Sequence, residues 1–317
     1  MSNQFRTTNS IGLINKNKIL NFTFNGESFQ GYEGDTLASA LIANGVHLVG
    51  RSFKYHRPRG FLGAGVEEPN AMVQLHEGNR SEPNIIATEV ELVEGLVANS
   101  QNCWPSVKFD IGEINNLLNR FFPAGFYYKT FMWPKSFWYK IYEPIIRKAA
   151  GMGIAPLSPD PDRYEHNYEH CDVLVVGSGP SGLASALAAA KNGARVILAE
   201  DKAHFGGSLL NDEVTIGNMS GREWASDVIS QLKNLPNVTV KNRSQVFGYY
   251  DHNMTVMFER VSDHIENPNQ YTPRQRLHYI RAGEVIVSTG SIERPISFGN
   301  NDRPGILLAS AANEYMK

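Results

Sequence analysis

The stretch from Cys171 to Glu200 leaves the least freedom of fold. Cys171-Asp-Val-Leu-Val-Val-Gly177 has the apolar, β-branched character of a fully buried strand. It runs without a linker into Gly177-Ser178-Gly179-Pro180-Ser181-Gly182, and helix-forming residues follow to about Asn192. Gly193 marks the helix end, and Ala194–Glu200 is a second strand closing on an acid. A lone G-x-G-x-x-G is weak evidence. Here the strand before it, the helix after it and an acid roughly 20 residues on are all present.

Each part has a physical reason. Gly177 permits the tight turn, Gly179 admits a pyrophosphate to the backbone amides, and Gly182 lets helix and strand pack closely. The helix start supplies unpaired amides and partial positive charge to phosphates. Glu200 is placed to accept hydrogen bonds from ribose hydroxyls, and its charge repels a 2′-phosphate. NAD or FAD therefore fits better than NADP, and the motif alone does not separate the two. His204-Phe205-Gly206-Gly207-Ser208 follows, with Gly207 and Ser208 as further phosphate candidates and Asp201 and Lys202 just before them. Residues 237–241 predict a third strand. Ser244–Tyr250, which contains Val246, and Met254–Arg260 predict a hairpin. Leu277–Ile280 and Glu284–Ser288 predict two further strands, the last ending at Thr289-Gly290.

The first hundred residues have another pattern. Lys18–Phe24 alternates as a half-buried strand, Asn25-Gly26 signals a hairpin, and Glu27–Gln30 returns. Asp35 or Thr36 caps a helix over Leu37, Ala40, Leu41 and Ile42. A hairpin followed by a helix opens a β-grasp domain. A basic loop follows, with Arg51, Lys54, His56, Arg57 and Arg59 and no acid. It is either a solvated loop or one holding an anion or an acidic partner. Residues 121–142 are dense in aromatics, but prolines and lysines interrupt them, so a connector packing on neighbouring domains or subunits fits better than a membrane segment. The expected organisation is residues 1–100 as the β-grasp domain, 101–165 as an aromatic-rich connector and 166–317 as the first part of a dinucleotide-binding domain.

Composition excludes other classes. The 317 residues are 42% hydrophobic and 20% charged, with net charge −2, which suits a globular chain and gives no field for nucleic acid. Two cysteines, Cys103 and Cys171, cannot supply a four-thiolate iron–sulfur or zinc site. Residues 1–10 lack the apolar core of a signal peptide, and no apolar run is long enough to span a bilayer. The expectation is a cytoplasmic protein without metal, nucleic-acid or membrane binding. His56 and His204 are candidates by chemistry type only, and no catalytic residue is assigned.

Residues 52–60 (SFKYHRPRG), EEPNA, the aromatic connector, GSGPSGL, and STGSIERP with RPGILLASA resemble the alpha subunits of heterotetrameric sarcosine oxidases, relatives of hydrogen cyanide synthase and opine oxidase subunits. The resemblance implies an α/β protein: a ferredoxin-like β-grasp domain, free of a cluster, followed by a Rossmann-like domain with a β-meander that is incomplete at the C-terminus. It implies NAD at the alpha-subunit dinucleotide site, with contacts carried over to Ser181, Glu200, Asp201, Lys202, Ser208 and Val246. It further implies FAD and FMN elsewhere in the complex, tetrahydrofolate in a domain this chain lacks, and beta, gamma and delta partners. The implied reaction converts sarcosine to glycine with hydrogen peroxide and formaldehyde or methylenetetrahydrofolate, with no activity in the isolated chain. The alternatives are part of a dehydrogenase for another amine or opine, or a non-catalytic dinucleotide-binding assembly module.

Overall fold

The structure, a computed structural model, describes residues 4–7, 12–121, 125, 131–149 and 151–317. The chain forms two compact units, Met1–Pro161 together with Glu293–Lys317, and Asp162–Ile292.

In the first unit, β1 (Asn15–Phe24) and β2 (Glu27–Glu33) pair antiparallel about Asn25-Gly26. Both turn residues have positive φ, 53° and 77°, as a two-residue hairpin of this twist demands. Helix α1 (Leu37–Ala43) starts at Thr36, whose hydroxyl accepts from the Ser39 amide while Ser39 answers reciprocally. It buries Leu37 and Leu41 against Phe22, Val49 and Val73. Strands β3 (Met72–Leu75), β4 (Glu82–Ile86) and β5 (Leu96–Ser100) complete a sheet of order β2-β1-β5-β3-β4, with β1 and β5 parallel. This is the expected β-grasp arrangement of a hairpin and helix on a mixed sheet.

The basic loop folds as a short ribbon pairing Gly50–Arg51 with Pro58–Arg59. Its arginines take their counter-ions from this chain. Arg51 is buried and donates to the Val107 and His56 carbonyls and, at 3.0 Å, to Glu113. Arg57 grips both carboxylate oxygens of Asp302 at 2.7 Å, and Arg59 pairs with the same residue. The Arg57 hydrogen bonds hold Asp302 down to about 2. The acid that this loop holds is thus Asp302, a side chain some 245 residues away in the same chain.

Asp302 belongs to the segment 293–317, which the sequence places with the dinucleotide domain and which packs instead within the first unit. Its apolar residues find partners there. Leu308 and Ala311 lie on Ala64, the Leu308 amide donates to the Leu62 carbonyl at 2.8 Å, and the Tyr315 hydroxyl donates to the Gly63 carbonyl at 3.0 Å. Of the aromatic connector, residues 122–124, 126–130 and 150 lie outside the described residues. Phe131 and Tyr142 are in ring contact at 5.1 Å, while Trp133 and Tyr139 are exposed.

The second unit contains β6 (Tyr164–Val176), α2 (Pro180–Lys191), β7 (Val196–Ala199), α3 (Gly221–Lys233), β8 (Val238–Lys241), β9 (Ser244–Tyr250), β10 (Met254–Arg260) and β11 (Gln275–Val287). The six-stranded order is β8-β7-β6-β11-β10-β9, with β8, β7, β6 and β11 parallel and the last two strands an antiparallel meander. Leu183, Ala186 and Leu232 from the helices bury one face with Val175 and Leu198. Leu174, Ile197, Met257 and Ile280 form the core of the other.

Two strands expected at 277–280 and 284–288 are one strand, β11, in parallel register with β6 from Tyr164 to Val176. Strand β6 also begins earlier than the apolar run suggests. Its polar half serves an ionic ladder: Arg276 bridges Glu165 and Glu259 at 2.9 and 3.1 Å. His278, fully buried, sits between Glu169 at 2.5 Å and Glu259 at 2.7 Å, and Lys241 reaches Glu169 at 3.2 Å. The His278 hydrogen bond holds Glu169 down to about 2. Burial opposes charge on His278, yet its two carboxylate partners raise its pKa above the ordinary value. Among the described residues no helix is long and apolar enough to cross a membrane.

Candidate dinucleotide-binding site

The site forms where β6 gives way to α2. Gly177 has φ +96°, and a Cβ there would lie 2.4 Å from the Ser288 carbonyl oxygen, so only glycine lets the end of β11 close against the turn. A Cβ on Gly182 would lie 1.9 Å from the Gly177 carbonyl oxygen. Gly179 is different: a Cβ there would meet nothing within 4 Å. Space thus opens in front of the glycine expected to admit the pyrophosphate. The first-turn amides of α2 have no acceptors within the helix and point outward with the positive end of its dipole.

The second glycine pair completes the rim. Gly207, φ +54°, approaches the Gly179 Cα so closely that a Cβ would sit 3.0 Å away. Pro180, Ser181, Ser208, Thr289 and Gly290 are at least partly exposed. The structure therefore brings Gly177, Gly179, Gly182, Gly207 and Thr289 to one turn. Val246 stands on the edge strand β9, packed against the core formed by Cys171, Leu174 and Met257.

Glu200 is only 5% exposed. One carboxylate oxygen accepts the Ser178 amide at 2.9 Å and the Ser178 hydroxyl, and the other accepts the Lys202 amide at 3.1 Å. Burial and then a hydrogen bond shared with Asp201 push Glu200 up to about 7, against the pull of Ser178. Ser178, with no exposed surface, also accepts the Gly206 amide at 3.1 Å. Its hydroxyl thus ties the first glycine turn to both the acid and the second turn. Sequence reasoning missed Ser178; the signal was a small hydroxyl side chain between two glycines of the motif. Arg260 fixes the Asp201 carbonyl at 2.7 Å, and the Ser244 amide fixes that of Glu200.

The other candidates are held elsewhere. His56 Nδ1 lies 2.6 Å from Asp110, and His204 is exposed. Burial and Asp110 raise the Cys103 thiol, which disfavours the thiolate. Among the described residues no group of three histidine, cysteine or acidic side chains is arranged for a metal.

Comparison with known proteins fits this geometry. Residues 172–264 match the family of FAD dependent oxidoreductases, and residues 17–103 match the 2Fe-2S iron-sulfur cluster binding domain. The residues suit a dinucleotide in the former, with its open Gly179 and helix start. They do not suit a cluster in the latter, where Cys103 is the one thiol. The L-proline dehydrogenase of P. horikoshii shares the fold, with a TM-score of 0.60 at 18% identity over 100% of this chain and 48% of that one.

An opine oxidase subunit of Agrobacterium tumefaciens is 26% identical over 46% of this chain and 29% of its own length. The sarcosine oxidase alpha subunit of Corynebacterium sp. strain U-96 is 34% identical, over 96% of this chain and 27% of its own length. Its counterpart in Rhizobium meliloti is 54% identical over 96% of this chain and 31% of its own length. The chain thus spans about a third of the curated relatives it matches most fully, and it resembles the N-terminal portion of sarcosine oxidase alpha subunits, with the opine oxidases as more distant relatives.

Proposed function

We propose that the chain is the dinucleotide-holding N-terminal part of the alpha subunit of a sarcosine oxidase-type flavoenzyme, and that the dinucleotide is NAD. The open helix start at Gly179, rimmed by Gly207 and backed by buried Glu200, carries this reading. In it the amides from Ser181 onward take the pyrophosphate, Ser208 adds a hydroxyl, and Thr289-Gly290 closes over the nucleotide. Glu200, drawn into the loop by Ser178, sets the loop's shape and disfavours a 2′-phosphate, while Asp201, Lys202 and Val246 line the adenosine side. The complex oxidises sarcosine to glycine, releasing hydrogen peroxide and formaldehyde or methylenetetrahydrofolate. FAD and FMN act elsewhere in an assembly with beta, gamma and delta subunits in the cytoplasm. The chain alone holds nucleotide and makes no peroxide.

FAD in this turn is the second reading, favoured by the match of residues 172–264 to FAD dependent oxidoreductases. Mass spectrometry of the nucleotide released on denaturing the protein, expressed with its genomic neighbours, separates the two. NAD with flavin in a co-purifying partner supports the proposal. FAD in this chain replaces it with an opine- or amine-dehydrogenase reading, and no nucleotide at all refutes both.

A further inference from the structure

The first unit has its own glycine-rich loop, Phe61–Ala71. Six of its backbone amides converge on two carboxylates. Glu68, 3% exposed, accepts Leu62 and Gly63 on one oxygen at 2.6 and 2.7 Å, and Asn70 and Ala71 on the other at 2.6 and 3.0 Å. One oxygen of Glu67 accepts Ala64 at 2.8 Å and Gly65 at 3.1 Å. A Cβ on Gly63 would come within 2.6 Å of that oxygen, so the loop closes tightly on its acids. The carbonyl side is satisfied too: buried Thr88 donates to Gly65 at 2.8 Å and Tyr315 donates to Gly63.

Amides gathered in this way make an anion-binding nest. Residues 17–103 match a 2Fe-2S cluster domain, and a cluster of that kind is an anion held by thiolates spaced C-x4-C-x2-C plus one more. With its first position at Leu62, the earliest of the six amides, that spacing falls on Glu67 and Asn70, and none of the three is a thiol. The amides still need an acceptor, because buried N–H groups without one are costly. We propose that the carboxylates of Glu68 and Glu67 take the place of an inorganic cluster in this loop, making the unit a redox-silent structural module. Glu68 is the principal replacement, since it satisfies four of the six donors with two bonds per oxygen and lies almost wholly out of water.

The test uses the 317-residue chain. Anaerobic reconstitution with iron and sulfide should leave the native protein without stoichiometric iron, acid-labile sulfide or visible absorbance. Amide hydrogen exchange should show Leu62, Gly63, Asn70 and Ala71 protected. In Glu68→Ala those four should exchange at least about tenfold faster, with a smaller change at Ala64 and Gly65. Glu67→Ala should give the reverse pattern. If Glu68→Ala does not fold, Glu68→Gln serves, because it keeps one acceptor oxygen and should release only one pair of amides. Uptake of a stoichiometric cluster by the native chain overturns the proposal, and so does unchanged exchange at all four amides in the variant that folds.

Discussion

The two glycine-rich loops of this chain dispose of their backbone amides in opposite ways. At Gly177–Gly182 the turn is braced from behind: Glu200 takes the Ser178 amide and hydroxyl, and the amides at the start of α2 are left facing open space beyond Gly179. At Phe61–Ala71 the acids sit inside the nest, and six amides are spent on Glu67 and Glu68. Both loops bury a glutamate and both need glycine for close approach. What separates a ligand site from a structural turn is therefore where the carboxylate sits relative to the amides, and glycine content alone does not reveal it.

The largest expected contrast lies in the glycines. Gly182→Ala drives a Cβ into the Gly177 backbone, which has no freedom to retreat. It should cost about 3 kcal/mol or more and abolish nucleotide retention, as read by urea unfolding and nucleotide content. Gly63→Ala meets the end of a Glu67 side chain, which can swing aside. It should cost about 1–2 kcal/mol. Equal losses would erase the distinction between a backbone-limited and a side-chain-limited loop.

Glu200→Ala should come next, weakening nucleotide retention by about tenfold to a hundredfold through the loss of hydrogen bonds to a charged group. Unchanged cofactor content in the purified variant would remove Glu200 from the site. A smaller effect belongs to pH. Glu200 moves from an ordinary 4.5 to about 7 on folding. Between those values the folded chain keeps a proton that the unfolded chain has released, so its contribution to stability falls as pH rises through that window. Unfolding free energies of the native chain and Glu200→Gln, measured at pH 5 and pH 8, should differ in that direction, and parallel profiles would sink the assignment. Smallest is Ser178→Ala, which removes one hydroxyl bond to Glu200 and one from the Gly206 amide. It should cost about 1 kcal/mol in a melt, with a weaker loss of nucleotide.

Much of the second unit was legible because its constraints are local. The run from Cys171 to Glu200 states its own strand, turn, helix and strand, and the hairpin about Asp251–Asn253 is written in adjacent residues. What escaped is long-range. The polar start of β6 gave no strand signal because Glu165 and Glu169 find their partners Arg276 and His278 more than a hundred residues on. The basic loop advertised a ligand because Asp302 cannot be paired with Arg57 by inspection. Glu67 and Glu68 were visible as acids, but the convergence of six amides on them is a property of the loop's path.

The Tyr315–Gly63 and Leu308–Leu62 bonds carry a consequence for biosynthesis. The loop Phe61–Ala71 is made early, yet two of its carbonyls find their donors on residues translated about 250 positions later. The second unit is a continuous stretch from Asp162 to Ile292, all of it made before those donors. The first unit thus brackets the second in the sequence. A released chain truncated after Ile292 should lack both bonds, and limited proteolysis should cut its loop Phe61–Ala71 faster than that of the 317-residue chain.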